Sequence, residues 1–326
     1  MSLESSDLTA DAPERRFPPL PFLPDTLEPL TRQGRTILRH SLLSGGRTNT
    51  CYKIEFDDGA AVVLRRYARG CPELECRIYR LVSGVIPVPE VLLSGPDYTI
   101  CKFMPGKILK DVPQAVRSAG RILGRLRRFR FPEAGRLLPD GGVEPWPFRE
   151  FNEIMYANPA VQRWLGHDRI ARLRRLPSPE PEPPVLVHGD FNPTNLLAEN
   201  GEITAVLDWE FAMSGPPLLD LANLCRNLPP SLQPEIAAGL ADEGVELPRE
   251  WPRRCRLLDL GSHLEFLTSN LSDDFKRSRV ALIDQLLAEY GAAPSAPGAA
   301  ANSTRRTALR SPSARAISDN TTDPAS

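Results

Sequence analysis

The stretch from Val185 to Leu224, VLVHGDFNPTNLLAENGEITAVLDWEFAMSGPPLLDLANL, constrains the fold more than any other part of the chain. Its apolar opening, Val185 to Val187, reads as a short buried strand that delivers His188-Gly189-Asp190 into a loop closing at Asn195. Leu196 to Ala198 and Ile203 to Leu207 then flank Asn200-Gly201, a dipeptide suited to a tight hairpin because both central residues of such a turn take positive φ. The hairpin ends on Asp208. It thereby gathers Asp190, Asn195 and Asp208 on one edge although they are distant in sequence.

Two carboxylates and an amide at one edge suit Mg²⁺ and phosphate chemistry. Mg²⁺ takes hard oxygen ligands, one or two from protein and the rest from phosphates and water. Asn195 and Asp208 can supply those oxygens, which leaves Asp190 to face an acceptor hydroxyl as its base.

This arrangement resembles the catalytic core of the aminoglycoside phosphotransferase family, a branch of the protein-kinase-like fold. There the kinase signature HRD…N, then DFG, becomes HGD-x4-N followed by a strand ending in D-W/F-E. His188, Gly189, Asp190, Asn195, Asp208, Trp209 and Glu210 match, as do Gly215-Pro216-Pro217 and Asp220-Leu221-Ala222. The resemblance covers about residues 36 to 290 and is weakest between 107 and 184. It implies an α/β (α+β) two-lobed fold: a flexible extension at 1–35, a β-sheet N-lobe binding nucleotide at 36–104, and a larger helical C-lobe for catalysis and acceptor at 105–291. It also implies ATP and Mg²⁺ as cofactors and transfer of the γ-phosphoryl group to a hydroxyl of a small molecule. A catalytically silent relative that binds a nucleotide or a partner is the alternative, since fold alone does not guarantee activity.

Composition narrows the partners. With 40 Lys+Arg against 41 Asp+Glu, the chain lacks the basic surplus of a nucleic-acid binder. No apolar run reaches membrane-spanning length, and MSLESSDLTADAPERR is polar where a signal peptide would be apolar, so a cytoplasmic protein is expected. The 6 cysteines form no CxxC pair.

Toward the N-terminus, residues 1 to about 24 read as a polar, disordered start running into an extended, proline-rich surface segment, with Asp25 capping a short helix through Gln33. Thr36–Leu43, Cys51–Phe56 and Ala60–Arg66 read as strands. Between the first two lies Ser44-Gly45-Gly46-Arg47-Thr48-Asn49, whose glycines let backbone N–H groups approach phosphates, although such a loop also serves as a plain hairpin. By the family resemblance, Gly45, Gly46, Asn49 and Tyr52 match a loop covering the ATP phosphates. Arg65 then stands where the kinase lysine holds them, a departure in residue type. Its acidic partner is expected from a helix over Pro72–Val82, with Glu75 matching and Glu73 as the rival. Strands follow from Pro87 to Leu93 and from Tyr98 to Phe103, and by resemblance Cys101, Lys102, Phe103 and Met104 border the adenine at the hinge.

Beyond Lys110 the pattern is mostly helical. Val112–Phe129 carries an apolar stripe and a second stripe of Arg117, Arg121, Arg125 and Arg128, either a solvated face or an attraction for an anionic acceptor. Gly141–Pro147 reads as a loop, Phe148–Ala157 and Val161–Leu176 as helices, and Pro177–Pro184 as a connector. Further helices are expected at Pro217–Arg226, Pro234–Ala241, Glu250–Leu271 and Asp274–Tyr290. His188 reads as a structural histidine of the catalytic loop, and Asp220 resembles the buried aspartate that braces it. Glu265, Asp273 and Asp274 are the candidates for acceptor recognition, although the two aspartates also suit a helix start. Residues 292–326 lack periodicity and read as a disordered tail.

Overall fold

The computed structural model describes residues 17–32, 34–43, 48–146, 150–178 and 182–291. The expectations for the first sixteen residues, for Gly45 and Gly46, and for the tail from 292 lie outside them. A short helix α1 (Glu28–Thr31) precedes strands β1 (Ile37–Leu42), β2 (Thr50–Phe56) and β3 (Ala61–Arg66), helix α2 (Pro72–Val82), and strands β4 (Val91–Ser94) and β5 (Tyr98–Lys102). The strands form one antiparallel sheet in the order β1-β2-β3-β5-β4.

Alternation along β2 and β3 sorts the side chains into two faces. Ile54, Phe56, Val62 and Leu64 join Ile100 in the outer core, covered by Leu27 and Leu30. Residues 20–31 are therefore part of this lobe, which corrects the expected flexible extension to residue 35. Tyr52 Oη donates to Leu20 O at 2.7 Å, Leu20 N donates to Thr50 Oγ1 at 3.0 Å, and Arg66 Nη1 donates to Pro21 O at 2.9 Å. Phe22 stacks on His40 with ring centroids 4.1 Å apart. Asp25 sits within a 3-10 turn, Pro24–Leu27, and the helix after it is only one turn long. The inner sheet face, bearing Cys51, Val63 and Arg65, turns toward the second lobe.

Past the turn at Pro105-Gly106 the chain enters β6 (Lys107–Ile108), α3 (Pro113–Leu126), β7 (Gly135–Leu137), β8 (Val143–Pro145), α4 (Phe151–Ala157) and α5 (Pro159–Leu173). There follow β9 (Val185–Val187), β10 (Leu196–Glu199), β11 (Glu202–Val206), β12 (Met213–Gly215), α6 (Leu218–Arg226), α7 (Gln233–Asp242), α8 (Trp251–Thr268) and α9 (Asp273–Gly291). The hairpin turns on Asn200 and Gly201 at φ 52° and 81°. β10 also pairs with β6, and β9 lies in a second sheet of order β8-β7-β12-β9. The stretch read as a loop at 141–147 thus contains a strand, and the helix read at 161–176 is broken where Gly166 takes φ 71° and ψ 167°. Among the described residues no helix is long and apolar enough to cross a membrane.

The Arg stripe of α3 is partly solvated, with Arg117 and Arg128 45% and 63% exposed, but its charges are already paired. Arg117 and Arg121 pair with Asp242, Arg121 also with Glu202, and Arg125 and Arg128 with Glu243, so the stripe is a ladder of ion pairs to α7 and β11. The two helices lie close because Gly120 faces Gly239. A Cβ on Gly239 would stand 2.0 Å from Arg117 O and 2.9 Å from Gly120 Cα, both backbone atoms that cannot swing aside. Gly239→Ala is therefore expected to destabilise the fold by about 1–3 kcal/mol, the scale of overpacking, despite alanine's better helix propensity. An unchanged denaturation midpoint would show that the crossing can open without loss.

Candidate active site

β9 ends its sheet beside β12 as a strand of three buried apolar residues, and its last one, Val187, hands the chain to the loop that carries Asp190. α6 grips that loop from below. Asp220 accepts from His188 N at 2.6 Å and Gly189 N at 3.0 Å, and burial pushes its carboxyl up to about 6. Gly189 takes φ 81°, and a Cβ there would meet Phe211 O at 2.4 Å, so both conformation and space require glycine. The fully buried His188 donates from Nε2 to Leu207 O at 2.9 Å, which makes Nδ1 the acceptor of Asp190 N–H at 3.2 Å. A carbonyl can only accept, so these partners define the neutral Nε2–H tautomer. The imidazole thus ties the loop to the strand end before Asp208.

Asp190 is held at both carboxylate oxygens. Asn192 Nδ2 donates to Oδ1 at 2.7 Å, and Asn195 Nδ2 donates to Oδ2 at 3.0 Å and to the Asp190 carbonyl at 2.9 Å. Asn192 is not singled out by its sequence, because an Asn beside a proline in a loop reads as turn chemistry. That role is also real, since its Oδ1 accepts Thr194 N at 3.0 Å. With its amide nitrogen on Asp190, Asn195 leaves Oδ1 without a hydrogen-bond donor among the described residues. Asp208 sits at φ 65°, a conformation rare outside glycine, and its side chain is 36% exposed.

The N-lobe reaches this edge through Arg65. Its Nη1 lies 3.3 Å from Glu75 Oε1, and Nη2 lies 2.7 Å from Asp208 Oδ1 and 3.4 Å from Glu210 Oε2. Between the two candidate partners, Glu75 is buried against Arg65 and Glu73 is exposed. Glu75 also accepts from Tyr67 Oη, from Tyr79 Oη at 3.2 Å and from Trp209 N at 3.1 Å, so α2 is bonded directly to the segment after Asp208. Burial and the neighbouring Asp208 push the Glu210 carboxyl up to about 7.

Asn49, expected over the phosphates, is buried between elements. Its Nδ2 donates to Glu210 Oε2 at 2.8 Å and its Oδ1 accepts Ala68 N at 3.1 Å, a clasp between the lobes. Tyr52 belongs to the outer face described above. At the hinge, Lys102 N and Phe103 N donate within the N-lobe to Glu90 O and Ala61 O, and Cys101 is buried. Met104 is thus the one of the four whose N–H makes no backbone bond among the described residues. Lys53, a lysine within a strand with no motif around it, places Nζ 4.4 Å over the Phe103 ring. Glu265 is exposed on α8, and Asp273 and Asp274 are exposed in the first turn of α9, with Asp274 paired to Arg277. None of the three bonds to the catalytic loop among the described residues.

A small antiparallel lobe with an Arg–Glu pair, joined by a hinge to a helical lobe carrying HGD…N and a strand-end Asp, defines a protein-kinase-like chain. The chain belongs to the phosphotransferase enzyme family, whose model matches residues 39–257. It is similar to the hygromycin-B 4-O-kinase of Escherichia coli, with 30% identity over 171 residues, 45% of this chain and 50% of that protein. It is also 29% identical over 240 residues to acyl-CoA dehydrogenase family member 10 of Mus musculus, covering 61% of this chain and 21% of the mouse protein. The chain therefore spans half or less of these curated relatives. Among solved structures, aminoglycoside phosphotransferase APH(4)-Ia superposes with a TM-score of 0.63 at 21% identity, covering 82% of this chain and 99% of that one. The macrolide 2'-phosphotransferase MphH of Brachybacterium faecium gives a TM-score of 0.59 at 20% identity, covering 80% and 98%. These structures share the fold.

Proposed function

We propose that the chain transfers the γ-phosphoryl group of ATP to a hydroxyl of a small molecule. The observation that carries this reading is the fixed carboxylate of Asp190 beside the open Asn195 oxygen and the Asp208 carboxylate. Asp190 orients the acceptor hydroxyl and takes its proton as the bond to phosphorus forms. Asn195 Oδ1 and Asp208 are two hard oxygen donors of the kind Mg²⁺ accepts when phosphates and water complete its shell, so the residues fit that ion. An Mg²⁺ ion held by these two residues would neutralise phosphate charge. Arg65 stands within reach of Asp208, and its always-charged guanidinium suits phosphate oxygens. Related structures support the nucleotide: APH(4)-Ia variants have been solved in ternary complexes with hygromycin B and either AMP-PNP or ADP. The domain boundaries at 104/105 and the hinge role of Met104 belong to the same proposal, as does a place in the cytoplasm.

A screen of hydroxylated metabolites and antibiotics for acceptor-dependent ADP release tests the reaction. In the same assay, Asp208→Asn is expected to abolish the Mg²⁺ dependence of ATP affinity. Retained metal dependence in that variant would move the metal to other residues.

A further inference from the structure

α6 holds the catalytic loop by more than Asp220. One turn further on, Asn223 is 2% exposed and donates from Nδ2 to Gly189 O at 3.1 Å. That carbonyl belongs to the peptide joining Gly189 to Asp190, so its direction fixes where the Asp190 side chain starts. Asp220 binds the N–H of Gly189 and Asn223 binds its C=O. The residue before Asp190 is thus gripped on both sides by one helix.

An asparagine amide is nearly symmetric in shape and can flip, exchanging donor and acceptor. Flipped, Asn223 would set its oxygen against the Gly189 carbonyl. Arg226 prevents this: its Nη2 donates to Asn223 Oδ1 at 2.9 Å, and a guanidinium has no acceptor to offer a flipped amide. Arg226 is itself fixed, since its Nη1 pairs with Asp259 of α8, and Asp259 lies 3.3 Å from His263 Nε2. These three side chains are each less than a tenth exposed. Burial and the neighbouring Arg226 and Arg279 hold His263 down to about 3, so it is a neutral partner at physiological pH.

We propose that Asn223 is a positioning residue for phosphoryl transfer, with Arg226 and Asp259 setting its amide so that the Gly189–Asp190 peptide presents the base to the acceptor. The chain of contacts runs from α8 through α6 to the catalytic loop and touches no nucleotide-binding group. This rests on the reading of Asp190 as the base.

Asn223→Asp keeps the side-chain shape and the Arg226 pair but replaces the donor with an oxygen facing the Gly189 carbonyl. Turnover should fall by about 10²-fold, the scale of a small misplacement of a reacting group, with the KM for ATP within about twofold of wild type. Hydrogen–deuterium exchange on the full chain supplies a readout independent of turnover. The backbone amides of 188–192 should exchange at least about tenfold faster in Asn223→Asp, while those of α3 and α7 stay as in wild type. Arg226→Lys, which keeps a positive charge for Asp259 but lacks the fork, should show the same pattern in weaker form. Wild-type turnover in Asn223→Asp, or a rise in KM for ATP matching the loss of kcat, would overturn the proposal. So would unchanged exchange at 188–192. If no acceptor is found, the reaction assignment suffers and the exchange result still decides whether Asn223 holds the loop.

Discussion

Asp190→Asn is expected to lower kcat by about 10²–10⁴-fold, the contribution of a positioned general base, with Mg-ATP binding retained. The retention follows from geometry. Asp190 makes no contact with Arg65 among the described residues, and in the variant the Asp190 carbonyl still accepts from Asn195 Nδ2, which keeps the Asn195 amide in place. Part of the loss will come from orientation as well as basicity, because both carboxylate oxygens accept amide protons from Asn192 and Asn195. An amide in that place can accept only one of them and sets a donor against the other. Asn192→Ala separates the two contributions: it frees one oxygen without changing the base, so its loss should be the smaller. Steady-state kinetics with an identified acceptor, together with calorimetric titration of Mg-ATP, checks both. A wild-type kcat in Asp190→Asn would place the base elsewhere.

What could be read in the sequence was what is close in sequence. His188, Asp190, Asn195 and Asp208 are joined by a loop and a two-residue turn, so their spacing already implies their meeting, and the turn residues Asn200 and Gly201 take the conformations their types favour. The helix over Pro72–Val82 was equally legible, from Pro at its start and an apolar face. The errors lie where distant segments meet. Nothing local tells Arg117 that Asp242 will stand opposite it, or Asn49 that Glu210 will take its amide, so neither pairing is legible in the sequence. β7, β8 and β12 are three residues each, too short for alternation to register, and they exist because neighbouring strands complete their hydrogen bonds. The N-terminal segment is hard to place for a related reason. Its prolines suggest an extended surface run, yet Leu27 and Leu30 find an apolar sheet face that only the folded lobe presents.

Arg65→Ala should be the most destabilising single change at the site, by about 3–5 kcal/mol, the cost of breaking a buried ion pair. Three carboxylates, Glu75, Asp208 and Glu210, converge on this one guanidinium, and Glu75 is 1% exposed. Removing the cation leaves their mutual repulsion uncompensated, and a fall in melting temperature of roughly 10 °C is expected for a chain of this size. The pH dependence distinguishes charge from lost packing. A carboxyl whose pKa is higher folded than unfolded binds more protons in the folded state, so stability falls as pH rises between the two values. For Glu210 that window runs from its ordinary 4.5 to about 7. Arg65 is among the groups that lower the Glu210 pKa. Without Arg65 the window extends further upward, and the deficit of the variant relative to wild type should therefore be smaller at pH 5 than at pH 8. Arg65→Lys restores a charge but not the fork that reaches Glu75 with one nitrogen and Asp208 with the other, so it should recover part of the stability and part of the ATP affinity. Thermal unfolding of the three proteins across that pH range decides the matter: a deficit independent of pH would mean that Arg65 acts by filling space, with its charge already compensated by water.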